Sequence, residues 1–268
     1  MTQPPRTYAL TGASSGIGAA LAAELAAPGV RLALSGRETA RLADVAEICR
    51  AKGAAVETAI LDVRDRPALH AWLAATDAAG PVDVLVANAG VTAGLGPRGG
   101  READADVRRQ VEVNLLGAID TVNGLVEAMR ARRAGHIVLV ASVAGIRGYP
   151  AMPTYSATKA GLIAYGDAIR GWLRPRGIAV TVVCPGFVTS PMSARHKGAK
   201  PFEVPVDKAA RTIARGIARR RATIAFPLLL VLGTRLTRLM PAWMADFFMR
   251  GYMAEVERDP RADVDGRE

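Results

Sequence analysis

The sequence predicts a doubly wound parallel α/β sheet in three layers, α/β/α, and three observations predict it. Short, uninterrupted aliphatic runs recur along the chain, separated by longer stretches with helical apolar spacing. Strands buried on both faces read as such runs rather than as polar–apolar alternation, and intervening helices supply right-handed crossovers. The first run ends in a glycine-rich turn that opens a helix. The 268 residues, 50% hydrophobic, suffice for one such domain spanning 1–268.

Taken in order, Thr7–Thr11 is the expected first strand, followed by the turn Gly12–Gly18 and an alanine-rich helix to about Ala27. Val30–Ser35 is the second strand, and Glu38–Lys52 a helix whose Leu42, Val45, Ala46 and Cys49 form an apolar stripe. Val56–Leu61, a helix over Arg66–Ala79 and Val82–Ala87 continue the alternation. Ala103–Arg132 contains one long helix, His136–Ala141 is the fifth strand, Thr154–Arg174 a helix and Ile178–Val183 the sixth strand. Thr223–Phe226 is the expected last strand.

Two stretches carry chemistry. In the first turn the glycines permit a tight bend and close backbone approach, and free amides at the following helix start suit a pyrophosphate. Gly12, Ser14, Ser15, Gly16, Ile17 and Gly18 are therefore the expected dinucleotide cradle of a Rossmann-type sheet, although their G-x-x-x-G-x-G spacing differs from the commoner fingerprint. Farther on, Tyr155 and Lys159 stand four residues apart, one turn along a helix face. An ammonium there favours phenolate over phenol, which would tune the tyrosine for proton transfer near neutral pH.

The motif T-G-x-x-x-G-x-G at residues 11–18, Asn88-Ala89-Gly90, Asn114, Ser142, Tyr155, Lys159 and Pro185-Gly186 resembles, in order and approximate spacing, the single-domain short-chain dehydrogenase/reductase family. The resemblance covers residues 7 to about 192. It implies that Tyr155 is the general acid/base and that Lys159 lowers its pKa and holds the nicotinamide ribose. It implies that Ser142 hydrogen-bonds the substrate oxygen and that Asn114 holds a water leading from Lys159 to solvent. Asp62 and Val63 would meet the adenine, Asn88, Ala89 and Gly90 the middle of the cofactor, and Pro185, Gly186 and Thr189 the nicotinamide carboxamide. A homodimer or homotetramer built through the long helices is likewise implied.

Charge chooses between the two nicotinamide cofactors. NAD sites place an acid after the second strand to take the ribose 2′-hydroxyl. Here Ser35-Gly36-Arg37 stands there, with no acid before Glu38. A guanidinium forks onto a 2′-phosphate, so NADP (NADPH) is expected and NAD is less favoured.

The substrate is read from what borders the site: Val143, Ala144, Ile146, Pro150, Met152, Phe187 and Met192 are uncharged, which favours a small apolar carbonyl or alcohol. Residues 190–205, rich in Ser, Lys, Gly and Pro, read as a substrate lid. Residues 224–250 form an apolar and basic C-terminal extension. Between Arg195 and Arg250 twelve Lys/Arg face Glu203, Asp207 and Asp246, a surplus of nine that holds most of the chain's formal +10. The simpler account is a substrate-covering or oligomer-forming helix with a solvated basic face; the alternative is peripheral contact with an anionic membrane surface. No nucleic-acid motif accompanies the charge.

Other classes recede. Two cysteines, Cys49 and Cys184, make no disulfide framework, and three scattered histidines have no metal-ligand spacing, so no metal is expected. The N-terminal residues leave no room for a leader before the first strand, and no apolar run approaches the roughly 18 residues of a membrane span, so a cytoplasmic protein is expected, with the membrane surface as the variant location. The functional expectation is an NADP-dependent oxidoreductase interconverting a carbonyl and a secondary alcohol. The alternatives are a 3-oxoacyl-type thioester reductase, a membrane-surface lipid or steroid-type dehydrogenase, a sugar-nucleotide epimerase or dehydratase, and a nonenzymatic NADP sensor.

Overall fold

Strands β1 (Thr7–Leu10), β2 (Arg31–Gly36), β3 (Ala55–Ile60), β4 (Val84–Ala87), β5 (Gly135–Val140), β6 (Ile178–Pro185) and β7 (Thr223–Phe226) form one parallel sheet in the order β3-β2-β1-β4-β5-β6-β7. The computed structural model describes residues 6–96, 99–249 and 255–257. Residues 1–5, 97–98, 250–254 and 258–268 of the expected domain, among them Arg250 of the expected extension, lie outside the described residues.

The helices are α1 (Gly16–Leu25), α2 (Thr39–Ala51), α3 (Arg66–Ala78), α4 (Asp104–Val111), α5 (Gly117–Arg132), α6 (Pro153–Leu173), α7 (Pro191–Ala194), α8 (Val206–Ala218), α9 (Leu228–Leu239) and α10 (Ala242–Met249). Successive strand residues feed opposite cores: Ile137 and Leu139 of β5 pack with Leu69, Val122 and Leu162 from α3, α5 and α6. Val138 and Val140 pack with Leu21, Leu42 and Ile213 from α1, α2 and α8. Hence the sheet reads as continuous apolar runs, and the three layers expected from them are what the chain forms. Coverage is thin at the β3 edge, where four of six residues are exposed.

The apolar stripe of α2 is buried as its periodicity requires. Asp65 caps α3 by accepting the Ala68 N–H at 3.0 Å, with proline in the first turn. The long helix expected over 103–132 is instead two helices, α4 and α5, joined by a π turn at Glu112–Leu116. Sequence reading passed over α8, although Ala209, Ala210, Ile213, Gly216 and Ile217 bury one face at helical spacing. None of the helices among the described residues is long and apolar enough to cross a membrane.

His136 on β5 is buried and its Nε2 lies 2.7 Å from Thr181 Oγ1 on β6. Burial, then the nearby Arg220 charge, pull its pKa from 6.5 down to about 4. The unfolded chain therefore binds a proton that the folded chain refuses between about pH 6.5 and 4, and stability falls as pH drops through that window. The loss is about 3 kcal/mol by pH 4. Thermal melts of wild type and His136→Val between pH 7 and 4 check this: the wild type should lose Tm more steeply. Parallel pH slopes would remove His136 as the cause.

Candidate active site

In the order β3-β2-β1-β4, the chain reverses direction across the sheet between β1 and β4. Loops leaving the carboxyl ends of those strands diverge there and open a crevice. The first six strands each deliver part of one cavity: Gly12, Ser14 and Gly16 after β1, Arg37 after β2, Asp62 after β3, Asn88 after β4, Ser142 after β5 and Gly186 after β6.

The turn after β1 is built for backbone approach. Gly12 adopts φ +68°, and a Cβ there would lie 2.7 Å from the Cα of Ala89. Gly18 faces Gly12 O and lies beside Asn88 Nδ2, so a side chain there would part the turn from the β4 loop. Asn88 locks the two loops, donating from Nδ2 to Thr11 O at 3.1 Å and Gly12 O at 3.0 Å. Its N–H and that of Ala89 are held by Thr11 Oγ1 at 3.2 and 3.3 Å. The first turn of α1 holds no acid to oppose its dipole. This glycine cradle at a helix start fits a dinucleotide's phosphates.

Arg37 and Asp62 stand at the far end. Arg64 holds Asp62 closely, with Nη2 to Oδ2 at 2.8 Å and its N–H to Oδ1 at 2.9 Å, while Arg37 Nη1 stands 3.5 Å from Oδ2. Burial pushes the Asp62 carboxyl up, but the Arg64 hydrogen bonds and both guanidinium charges outweigh it and hold the pKa below the usual value.

At the opposite end, Ser142, Tyr155 and Lys159 meet. Ser142 leads from β5 into a short 3₁₀ turn, accepting the Ala144 N–H at 3.1 Å. That turn lies directly on α6: a Cβ at Gly145 would be 2.5 Å from the carbonyl carbon of Lys159. Only glycine permits this approach, and it sets Ser142 beside Tyr155, whose phenol it hydrogen-bonds. Lys159 is buried, donates to Val140 O at 2.9 Å and lies 5.7 Å from the centre of the Tyr155 ring.

The expected lowering of the tyrosine pKa by Lys159 is not what the fold produces. Burial pushes Tyr155 above its ordinary 10, against the Ser142 hydrogen bond. Burial also pulls Lys159 down to about 8, with Cys184 acting the other way. Desolvation is the largest cause for both groups.

Asn114 sits in the π turn, behind the cavity wall. Its Oδ1 accepts the Val91 N–H at 2.7 Å, and its Nδ2 donates to Val91 O at 2.9 Å and to Thr158 Oγ1 at 3.3 Å. The side chain expected to hold a water is thus engaged in tying the π turn to the β4 loop and α6. Gly90 links it to the lysine, since a Cβ there would lie 3.3 Å from Asn114 Oδ1 and 3.6 Å from Lys159 Nζ.

Of the remaining expected residues, Ser15, Ile17, Val63, Ala89, Gly90 and Pro185 line the cavity. Gly18 and Asn114 support it from behind. Thr189 does not line it: its N–H bonds to Val204 O at 3.0 Å and its side chain is exposed, while Val188 and Ser190 face the cavity. Of the expected substrate-border residues, Val143, Ala144, Met152, Phe187 and Met192 line the cavity, but Ile146 and Pro150 do not. Sequence reading missed Tyr149, His196 and Val256. An aromatic residue six positions before Tyr155 was a usable signal. Val256 had none, because it arrives through an isolated bridge to His196.

A glycine cradle and a Ser–Tyr–Lys group lining one crevice fit a dinucleotide-dependent oxidoreductase site. A family model described as short chain dehydrogenase matches residues 6–200. An uncharacterized oxidoreductase of Myxococcus xanthus is 38% identical over 237 residues, covering 88% of this chain and 93% of that protein. Two solved structures resemble the fold. A variant of actinorhodin polyketide ketoreductase with NADPH has TM-score 0.73 and 31% identity, covering 84% of this chain and 95% of that one. A short chain dehydrogenase from Mycobacterium paratuberculosis bound to NAD has TM-score 0.72 and 25% identity, covering 82% and 94%. The chain belongs to the short-chain dehydrogenase family, and it is a nucleotide-dependent dehydrogenase/reductase.

Proposed function

We propose that this protein is an NADP-dependent reductase that interconverts a ketone and a secondary alcohol on an apolar substrate, with Tyr155 as the proton donor. The observation that carries the reading is the meeting of Ser142, Tyr155 and Lys159 in the same crevice that the glycine cradle lines. A bound nicotinamide supplies the hydride. Ser142 orients the carbonyl oxygen and stabilises its developing charge. Tyr155, kept protonated by burial, gives that oxygen its proton; the same group is the base in oxidation. Lys159 holds the ribose and adds positive charge beside the phenol. Because Asn114's amide is engaged, its part is to hold the wall that carries Lys159, and a relaying water would rest on backbone at the π turn.

Gly12–Gly18 takes the pyrophosphate, Asp62 and Val63 the adenine side, Asn88–Gly90 the middle, and Pro185–Gly186 the nicotinamide. Residues 190–205 form the lid, pinned at its base where Val204 N–H donates to Phe187 O at 2.9 Å. A homo-oligomer through α5 and α6 accompanies this reading. A 3-oxoacyl-type thioester is the second substrate class, favoured by the likeness to a polyketide ketoreductase.

Arg37 decides the cofactor. Titrating wild type and Arg37→Asp with NADPH and NADH, followed by nucleotide fluorescence, should show NADPH binding at least about tenfold tighter, or about 1.4 kcal/mol, to the wild type. The variant should lose that preference. Equal or tighter NADH binding to the wild type would reject NADP, and binding of neither would reject the reductase.

A further inference from the structure

Among the described residues, nothing covers the outer face of α9. Leu228, Leu229, Leu232, Leu236 and Leu239 are between 52% and 84% exposed, while Leu230, Val231 and Thr234 are buried. At about 100° per residue, the five exposed leucines fall within an arc of about 100°. The helix therefore has two apolar faces: an inner seam on the protein and an outer stripe in solvent. On α10 the pattern continues, with Ala245 and Met249 buried and Trp243, Phe247 and Phe248 exposed, Trp243 at 72%. Single exposed leucines need no explanation, but eight large apolar side chains on two consecutive helices do.

We propose that the α9–α10 face docks onto the surface of an anionic lipid bilayer. Charge selects this occupant. Exposed Arg235 and Arg238 border the leucine stripe on one side. The one acid on α10, Asp246, is met by Arg147 at 3.2 Å. Along α9 and α10 themselves, Arg235 and Arg238 stand against Asp246 alone. A second copy docked by a two-fold axis would bring the same basic surface against itself. An anionic bilayer instead attracts the arginines while it takes in leucine and tryptophan, the composition of a helix lying in a membrane interface. At 12 residues, α9 lies on a bilayer rather than through it.

The surface meets the catalytic cavity. Leu229, Leu236, Phe248 and Phe202 line a hollow whose wall includes Tyr149, and Tyr149 also lines the cavity. If the proposed apolar substrate is right, docking brings lipid to that shared wall. The docking itself does not depend on the reaction.

Cosedimentation of the full-length protein with vesicles tests it. Vesicles with about one-third phosphatidylserine should bind at least about tenfold more protein than pure phosphatidylcholine vesicles, and high salt should release it. Leu232→Glu with Leu239→Glu should lower that binding at least about tenfold while NADPH affinity and Tm stay at wild-type values. Arg235→Glu with Arg238→Glu should erase the preference for anionic lipid. Absent binding, equal binding to both vesicle types, or leucine variants that bind like wild type would overturn the proposal. So would leucine variants that change the oligomeric state in sedimentation velocity without any vesicle binding, which would make the stripe an interface between copies.

Discussion

Tyr155→Phe should lower kcat for carbonyl reduction by about 10³-fold, or about 4 kcal/mol, while NADPH binds within a few fold of wild type. The ring stays and only the hydroxyl goes, so the loss isolates proton donation. Ser142 keeps its bond from the Ala144 N–H at 3.1 Å, which limits any collapse around the missing oxygen. Single-turnover rates and nucleotide titration of the same preparation measure the two quantities. A variant that binds NADPH and still turns over at near wild-type rate would displace Tyr155 from the chemistry. A protein that binds NADPH, with or without Tyr155, and reduces no carbonyl in a broad screen would be a sensor.

Lys159→Met should lower kcat/KM by about 10²-fold or more, because it removes a fixed positive charge from a dry site. It should also change the pH profile. Burial brings the Lys159 ammonium from 10.5 down to about 8. Below that pH the group is charged; as pH rises through about 8 the charge is lost. Tyr155, pushed above 10 by burial, keeps its proton throughout. Reduction by the wild type should therefore decline near pH 8, well before the phenol titrates, and the Lys159→Met profile should be flat there. A limb near pH 8 that survives in the variant belongs to another group. Since Lys159 Nζ donates to Val140 O at 2.9 Å, the variant leaves that carbonyl without its partner, and Tm must be measured beside the rates.

Much of this was legible in the chain. Alternating aliphatic runs and helical stripes specify a parallel sheet because period and burial are local properties, and β1 to β7 lie close to where the runs place them. The glycine turn and the Tyr155–Lys159 spacing are legible for the same reason, each being one local backbone feature. Interruption of the long helix was not. In the π turn Asn114 meets Val91 and Thr158, partners 23 and 44 residues away in sequence that no local pattern reveals. Electrostatics also escaped the sequence: spacing brings a lysine near a tyrosine, whereas burial decides which way both pKa values move.

By itself, then, the sequence determined the sheet, the cradle and the identity of the groups that meet in the crevice. Tertiary structure alone decided that Gly145 seats the Ser142 turn on α6, that Thr189 turns outward and that Val256 comes back to the cavity wall. It also decided which apolar residues of the tail are buried and which are not: Leu230 packs inward while its neighbour Leu229 faces solvent. Composition assigns the two leucines the same hydrophobicity, and only the packing of one helix face against the fold separates them.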